Sequence, residues 1–316
     1  MPFADEKFLL TGLHRSGTTW LSHIIEKIGQ IAVVHEPFNR SSGLRGVPRW
    51  YVHHPGREGG EPTQKEAKIA EALLFMLFQG RAKYVWHRPE SSFIRNMGRF
   101  IFGSRAERQY KKSVRYDYSK VLLKDPFCLF LVPYILEQYH ARVIFLTRHP
   151  AAHLASMSRM RWYPPLESIT QQTLLRDNYA YDVPIDKLSY EMPLAEANSY
   201  FWIVANRFIR SVKKKFPYYV SVVKHENVTL NPEDELPKIM NFLNVEEEKE
   251  SAIRYAQETT SGTIITPSAG KLHEFNRDGQ ALVRAWKKQL SKKEIAIVRS
   301  IVEIDDTFSM EYEGTW

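Results

Sequence analysis

Residues 8–20, FLLTGLHRSGTTW, are the stretch from which the fold of this 316-residue chain can be read. An apolar run, KFLLTG, passes into a loop with Gly12 and Gly17, and a helical pattern starts near Ser16–Thr19. An apolar run without polar alternation is the mark of a strand buried on both faces. Four further runs carry that mark: IAVVHE (31–36), KVLLKD (120–125), RVIFLTR (142–148) and YVSVVKHE (219–226). Helical patterns follow at Ser16–Ile28, around Pro126–Tyr139, at Ala151–Met160 and at Pro232–Leu243. Asn231 before Pro232 and Glu233 reads as an N-cap with proline at the first helical position. Strand–helix alternation predicts an α/β fold, one domain over 1–316, with a central parallel sheet flanked by helices. Two helical insertions, about 41–120 and 161–215, interrupt the rhythm. The first holds a Gly/Pro/His-rich loop and an amphipathic helix near Gln64–Gln79; the second follows a Trp162-Tyr163-Pro164-Pro165 break. Ligands of open parallel sheets bind beyond the carboxyl ends of the strands, so both insertions are expected to cover such a site.

The opening loop carries the chemistry. A turn of this kind aims backbone N–H groups and a positive helix end at one spot, which favours phosphate or sulfate. Ser16, Thr18 and Thr19 add hydroxyl donors and Arg15 adds a forked cation. The plain alternative is an ordinary Gly-containing turn before a Ser/Thr-capped helix. A nucleotide-hydrolysing P-loop places Lys directly after its second glycine. Gly12 and Gly17 have that spacing, but Thr18 stands at the lysine position. Asp125 is the best acidic strand end for a magnesium ion, and it follows a lysine. A kinase or other phosphotransferase is therefore the weaker alternative.

Arg15-Ser16-Gly17-Thr18-Thr19-Trp20 after a first strand resembles the 5′-phosphosulfate loop of sulfotransferases that use 3′-phosphoadenosine-5′-phosphosulfate (PAPS). Arg148 at the end of strand 143–147, Pro150, and Ser156 eight residues after Arg148 resemble the family's 3′-phosphate element. Read without the family, Arg148 is equally a buried ion-pair partner and Ser156 a neutral helix residue. In HEPFNR, Glu36 ends the second strand and should lie beside the first loop, with His35 on the opposite face. The resemblance here is to the carbohydrate and tyrosylprotein branch, in which a Glu at this place is the base. The cytosolic phenol and steroid branch uses a His on a later segment. The bland alternative for Glu36 is a salt bridge with Arg15 or Arg40. Lys124-Asp125-Pro126-Phe127 is similar to the tyrosylprotein pattern, whose Lys contacts the transferred group; an exposed Lys before an Asp-Pro turn is the alternative. Asp125 then orients loops. His225-Glu226-Asn227 stands where the family has Tyr-Glu-Asp/Asn and reads as structural. RDGQALVRAW resembles the segment closing over the 3′-phosphate, which assigns Arg277 and Gly279 to that group.

The resemblance implies in-line sulfuryl transfer from PAPS to an acceptor hydroxyl, with 3′,5′-ADP (PAP) as product and no metal. It implies Glu36 as base, Arg15 and Lys124 with the Gly17–Thr19 N–H groups on the sulfuryl oxygens, Arg148 and Ser156 on the 3′-phosphate, and Trp20 against the adenine. His53-His54 is an adjacent pair without metal-ligand spacing.

Net charge is +8, and residues 81–120 alone carry eleven Lys/Arg against Glu90, Glu107 and Asp117. Aromatics including Tyr84, Trp86, Phe100 and Tyr116 are interleaved with these cations. Such a block suits an anionic partner, whether a small molecule, glycan or peptide acceptor or a membrane surface; no nucleic acid is expected. A non-enzymatic binder of anionic glycan or membrane is a third function class; a solvated basic face is the bland reading. Cys128 is the only cysteine, so no internal disulfide can form. Apolar runs far below membrane-span length and no signal-like start predict a cytoplasmic, bacterial enzyme.

Overall fold

All five apolar runs form strands: β1 (Glu6–Thr11), β2 (Ala32–His35), β3 (Lys120–Lys124), β4 (Arg142–Thr147) and β5 (Val220–Lys224). The computed structural model describes residues 4–56, 65–87, 92–116, 118–184, 192–262 and 278–316. The strands make one parallel sheet in the order β2-β3-β1-β4-β5. In the first half of the chain lie α1 (Thr18–Lys27), α2 (Lys65–Phe78), α3 (Phe93–Phe102), α4 (Arg105–Arg115), α5 (Val132–Tyr139) and α6 (Pro150–Met160). The second insertion supplies α7 (Leu166–Thr170), α8 (Thr173–Tyr179) and the long α9 (Leu194–Lys215). After β5 come α10 (His225–Leu230), α11 (Pro232–Phe242), α12 (Lys249–Thr260), α13 (Gly279–Arg284), α14 (Trp286–Gln289), α15 (Lys292–Val302) and α16 (Asp306–Tyr312).

Both faces of the sheet are covered, which is why the strands read as continuous apolar runs. Phe8, Leu10, Leu122 and Ile144 pack under α1, α11 and α12, through Leu21, Ile25, Ile239 and Ala252. Leu9, Leu123, Val143 and Phe145 face the opposite core with Ile135, Leu154 and Phe201 from α5, α6 and α9. β1 and β4 are neighbours whose chains leave in opposite directions, β1 through α1 to β2 and β4 through α6 towards β5. Such a divergence opens a crevice at the strand ends. Among the described residues no helix is long and apolar enough to cross a membrane.

Local expectations differ in three places. Helix α1 starts at Thr18, with Gly17 as its N-cap at φ 100°, because Ser16 still belongs to the turn. Asn231 sits at the N-cap position of α11 but its side chain makes no capping bond. It also closes α10, its N–H donating to the Asn227 carbonyl at 2.8 Å, so one residue ends one helix and opens the next. The helix expected around Pro126–Tyr139 is split into a 3-10 turn, Pro126–Leu131, and α5.

Candidate active site

Gly12 and Gly17 set the shape of the loop after β1. Gly12 has φ 144°, and a Cβ there would lie 2.3 Å from the Leu146 carbonyl oxygen of β4. Gly17 packs on the His225 ring so closely that a Cβ would come within 2.2 Å of it. Between them Arg15 takes φ 73° and Ser16 N–H donates to the Leu13 carbonyl at 3.1 Å. A positive φ is costly for a residue with a side chain, and Glu36, at φ 45°, is held the same way. Among the described residues, two of the seven non-glycine residues with positive φ are thus sequence-predicted catalytic residues.

A cavity of about 730 Å³ opens beyond the carboxyl ends of the strands. Arg15, Gly17, Thr18, Thr19 and Trp20 from the loop and α1, Glu36 after β2, Lys124 of β3 and Arg148 after β4 all line it. Eight of the sequence-predicted site residues therefore share one chamber. Ser156 borders a smaller cavity, about 60 Å³, which also touches Arg15 and Arg148. Ser16 is 2% exposed and lines neither cavity. Gly279 is buried against Thr229 and Thr260 and lines neither cavity, although Leu282 one turn on borders both. Arg277 lies outside the described residues.

The salt-bridge partner of Glu36 is Lys124. The Lys124 ammonium donates to Glu36 Oε1 at 2.5 Å, and Asn39 Nδ2 donates to Oε2 at 2.9 Å. The Glu36 N–H also donates to the Lys124 carbonyl at 2.7 Å, tying the two strand ends together. Lys124 is 2% exposed, so it is not the exposed lysine of the bland reading. Burial pushes the Glu36 carboxyl up, but the Lys124 charge and the bonds from Lys124 and Asn39 outweigh it and hold it below the ordinary carboxylate value. Glu36 is therefore ionised at neutral pH and keeps 30% of its side-chain surface exposed. His35 points away, towards Glu26. Asp125 orients loops as expected: it accepts from the N–H groups of Phe38 at 2.5 Å and Phe127 at 2.8 Å.

Cations on the other side of the chamber are linked to each other. Arg15 Nε donates to Ser156 Oγ at 3.1 Å, and Arg148 Nη1 donates to the Arg15 carbonyl at 2.9 Å. Arg148 Nε is buried with no hydrogen-bond partner among the described residues. Burial lowers the Arg148 pKa, with the Glu226 carboxylate pulling it back up. Glu226 Oε1 meanwhile accepts from the His149 N–H at 2.9 Å, which agrees with its structural reading.

Trp162 and His14 line the chamber without any signal for it in the sequence. The Trp162 ring lies 5.6 Å from the Arg15 guanidinium, a cation–π contact that fixes the loop from the second insertion. Trp20 Nε1 donates to Thr259 Oγ1 at 3.0 Å and its ring sits 5.8 Å from His225. Beneath the loop, His14 Nδ1 meets the Tyr51 hydroxyl at 2.6 Å, and His153 bridges the His14 carbonyl at 2.9 Å to Asn198 at 2.8 Å. Burial holds His14 neutral, its pKa pushed down to about 3, with the Arg15 charge adding to the effect. His153 is pushed down to about 4 by burial in the same way. A neutral His153 that donates from Nε2 to a carbonyl has Nδ1 left as an acceptor, so the Asn198 amide must offer it an N–H. The side chain as placed offers Oδ1 and leaves Nδ2 without a partner among the described residues; rotating the amide satisfies both. Among the described residues no group of three or more His, Cys, Asp or Glu is placed to hold a metal ion.

Fixed cations, hydroxyls and turn N–H groups thus face one ionised carboxylate across a chamber walled by Trp20, Trp50, Phe127 and Trp162. That arrangement can hold a multiply charged anion and take a proton from a neighbouring hydroxyl. Residues 8–249 match the sequence model described as the sulfotransferase family. Among solved structures, the chain is similar to the sulfotransferase domain from the Synechococcus PCC 7002 olefin synthase, at 18% identity and TM-score 0.45, covering 95% of each chain. It is also similar to the sulfotransferase domain from the curacin biosynthetic pathway, at 15% identity and TM-score 0.48, covering 96% of this chain and 99% of that one. A mouse sulfotransferase complexed with PAP aligns at 14% identity and TM-score 0.42, over 96% of this chain and 84% of that one. No curated protein matches the chain in sequence.

Proposed function

The chain belongs to the sulfotransferase family and is a PAPS-dependent sulfotransferase, and on that footing we propose that Glu36 is its general base. The donor supplies an electrophilic sulfur and a bisphosphate leaving group. Glu36, ionised and partly open to the cavity, takes the proton of the acceptor hydroxyl as it attacks. Lys124 and Arg15, with the N–H groups of the Gly17–Thr19 turn, face the negative oxygens. Such preorganised charge, with positioning, supplies most of the catalysis in transfers of this kind. Arg148 holds the 3′-phosphate with Ser156, and Trp20 walls the adenine.

What supports this reading above all is the Glu36–Lys124 pair set beside the Gly17–Thr19 turn in one chamber. The fit to the donor has a second support: Arg148, whose Nε is buried without a partner among the described residues, borders both cavities. The use of a Glu after β2 favours the carbohydrate and tyrosylprotein branch, with a sugar, lipid or tyrosine hydroxyl as acceptor. Residues 41–120 and 161–215 then belong to the same domain as its acceptor cover; Trp50 and Trp162 already stand in the cavity wall.

Donor labelled on sulfur, offered with panels of sugars, hydroxylated lipids and tyrosine peptides, is expected to pass its label to one class. Label in none of them contradicts the acceptor assignment. Arg148→Ala is expected to weaken 3′,5′-ADP binding roughly a hundredfold by calorimetry, since a hydrogen bond to a charged group is worth about 1.5–3 kcal/mol. Arg148→Lys keeps the charge but loses the fork, and should recover only part of the loss. An unchanged dissociation constant in Arg148→Ala removes Arg148 from the donor site.

A further inference from the structure

Helix α3 turns its apolar side outward. Ile94, Met97 and Ile101 recur at three- and four-residue intervals on one face, with Phe100 beside them. Ile94 is 82% exposed, and Phe100 and Ile101 are each 62% exposed. Among the described side chains of α3, Asn96 is buried against the protein, and Arg99 donates to its Oδ1 at 3.1 Å. A surface helix ordinarily buries its apolar stripe. Here Ile94, Met97, Phe100 and Ile101 face outward instead, where they are available to a second medium. Trp86 extends the patch, its ring 5.1 Å from Phe100. The neighbouring Val85 N–H donates to the Gly43 carbonyl at 2.9 Å, next to Ser41 and Ser42 of the cavity rim.

Gly103-Ser104 leads from α3 into α4, where Arg105, Arg108, Lys112 and Arg115 recur at intervals of three, four and three residues and are exposed. The opposite side of α4 is anchored through Tyr110, whose hydroxyl donates to the Leu77 carbonyl at 2.7 Å. Residues 92–116 hold seven Lys/Arg against one acid, Glu107. We propose that α3 and α4 form a docking surface for an anionic bilayer, with the apolar face of α3 at the headgroup boundary and the arginines and lysines on lipid phosphates. Charge and apolarity together select this occupant. A second copy of the chain would bring two basic faces together, which is repulsive. An anionic glycan would meet the cations but leave Ile94, Phe100 and Ile101 in water.

The test is flotation of the full chain with vesicles of phosphatidylcholine alone and of phosphatidylcholine mixed with phosphatidylglycerol. Binding is expected only where phosphatidylglycerol is present. Ile94→Ser with Ile101→Ser should weaken it by roughly tenfold or more, and Arg105→Glu with Arg115→Glu by a similar factor. An unchanged thermal midpoint marks each variant as folded, and the two act through different chemistry, so either carries the comparison. The readout does not involve the donor, so it stands or falls separately from sulfuryl transfer. No flotation with either vesicle, or flotation indifferent to phosphatidylglycerol or to both variants, overturns the proposal. So does a dimer by light scattering that Ile94→Ser with Ile101→Ser dissociates while no vesicle is bound.

Discussion

Glu36→Gln is expected to lower turnover about a hundredfold or more while 3′,5′-ADP affinity stays within a few-fold of the parent. Glutamine keeps the size of the side chain and an oxygen for the Lys124 ammonium, now 2.5 Å from Oε1. It cannot take a proton. The loss should therefore appear in kcat, because Glu36 lies across the chamber from Arg148, which holds the product's 3′-phosphate in the proposed arrangement. The ion pair gives the variant a second signature. Lys124 holds the Glu36 carboxyl below its ordinary value. Replacing Lys124 by Met should let burial raise it, so activity would fall away at a higher pH on the acid side. Turnover by Glu36→Gln equal to the parent's would mean that the carboxylate only positions Lys124.

Acidification from pH 7 to pH 5 is expected to cost on the order of 5 kcal/mol of stability, read as a falling urea midpoint. The source is four buried histidines. Burial pushes His14 and His149 down to about 3, and His53 and His153 down to about 4. In the unfolded chain each takes its proton near pH 6.5, so the unfolded state binds more protons as pH falls through that value, at about 1.4 kcal/mol per unit per group. The stability they contribute is complete above the unfolded value and is lost below it. Asp125 acts in the opposite sense. Burial pushes its carboxyl up to about 7, so the folded state regains some stability between pH 7 and the ordinary carboxylate range. One such group offsets part of four. A midpoint that stays level from pH 7 to pH 5 would mean these rings are protonated, or solvated, in the folded protein.

The strands and the glycine turn after β1 were legible because both are local. A strand buried on two faces must be apolar throughout, and a turn packed on β4 must carry Gly12. What connects strand ends was not legible. Glu36 was expected beside the first loop, with Arg15 or Arg40 as partner only on the bland alternative; β3 lies between β2 and β1, and the His35–Lys124 register puts Lys124 at its side from 88 residues away. Sheet order decides such a pair, and no spacing in the chain encodes it. The His14–Tyr51 and His153–Asn198 contacts join four separate segments without any periodic sign. Trp162 read as part of a chain break, and only the folded path of the second insertion sets it over Arg15. Ser16 shared its motif with true cavity residues, but the turn directs its side chain inward.

A chamber built for a bisphosphate nucleotide should tell 3′,5′-ADP from ATP with magnesium, and calorimetric titration with each in turn decides it. Tight binding of 3′,5′-ADP that needs no divalent ion, with weak or no binding of ATP and magnesium, is the predicted result. Preference for ATP with magnesium, or no heat from 3′,5′-ADP, would contradict it.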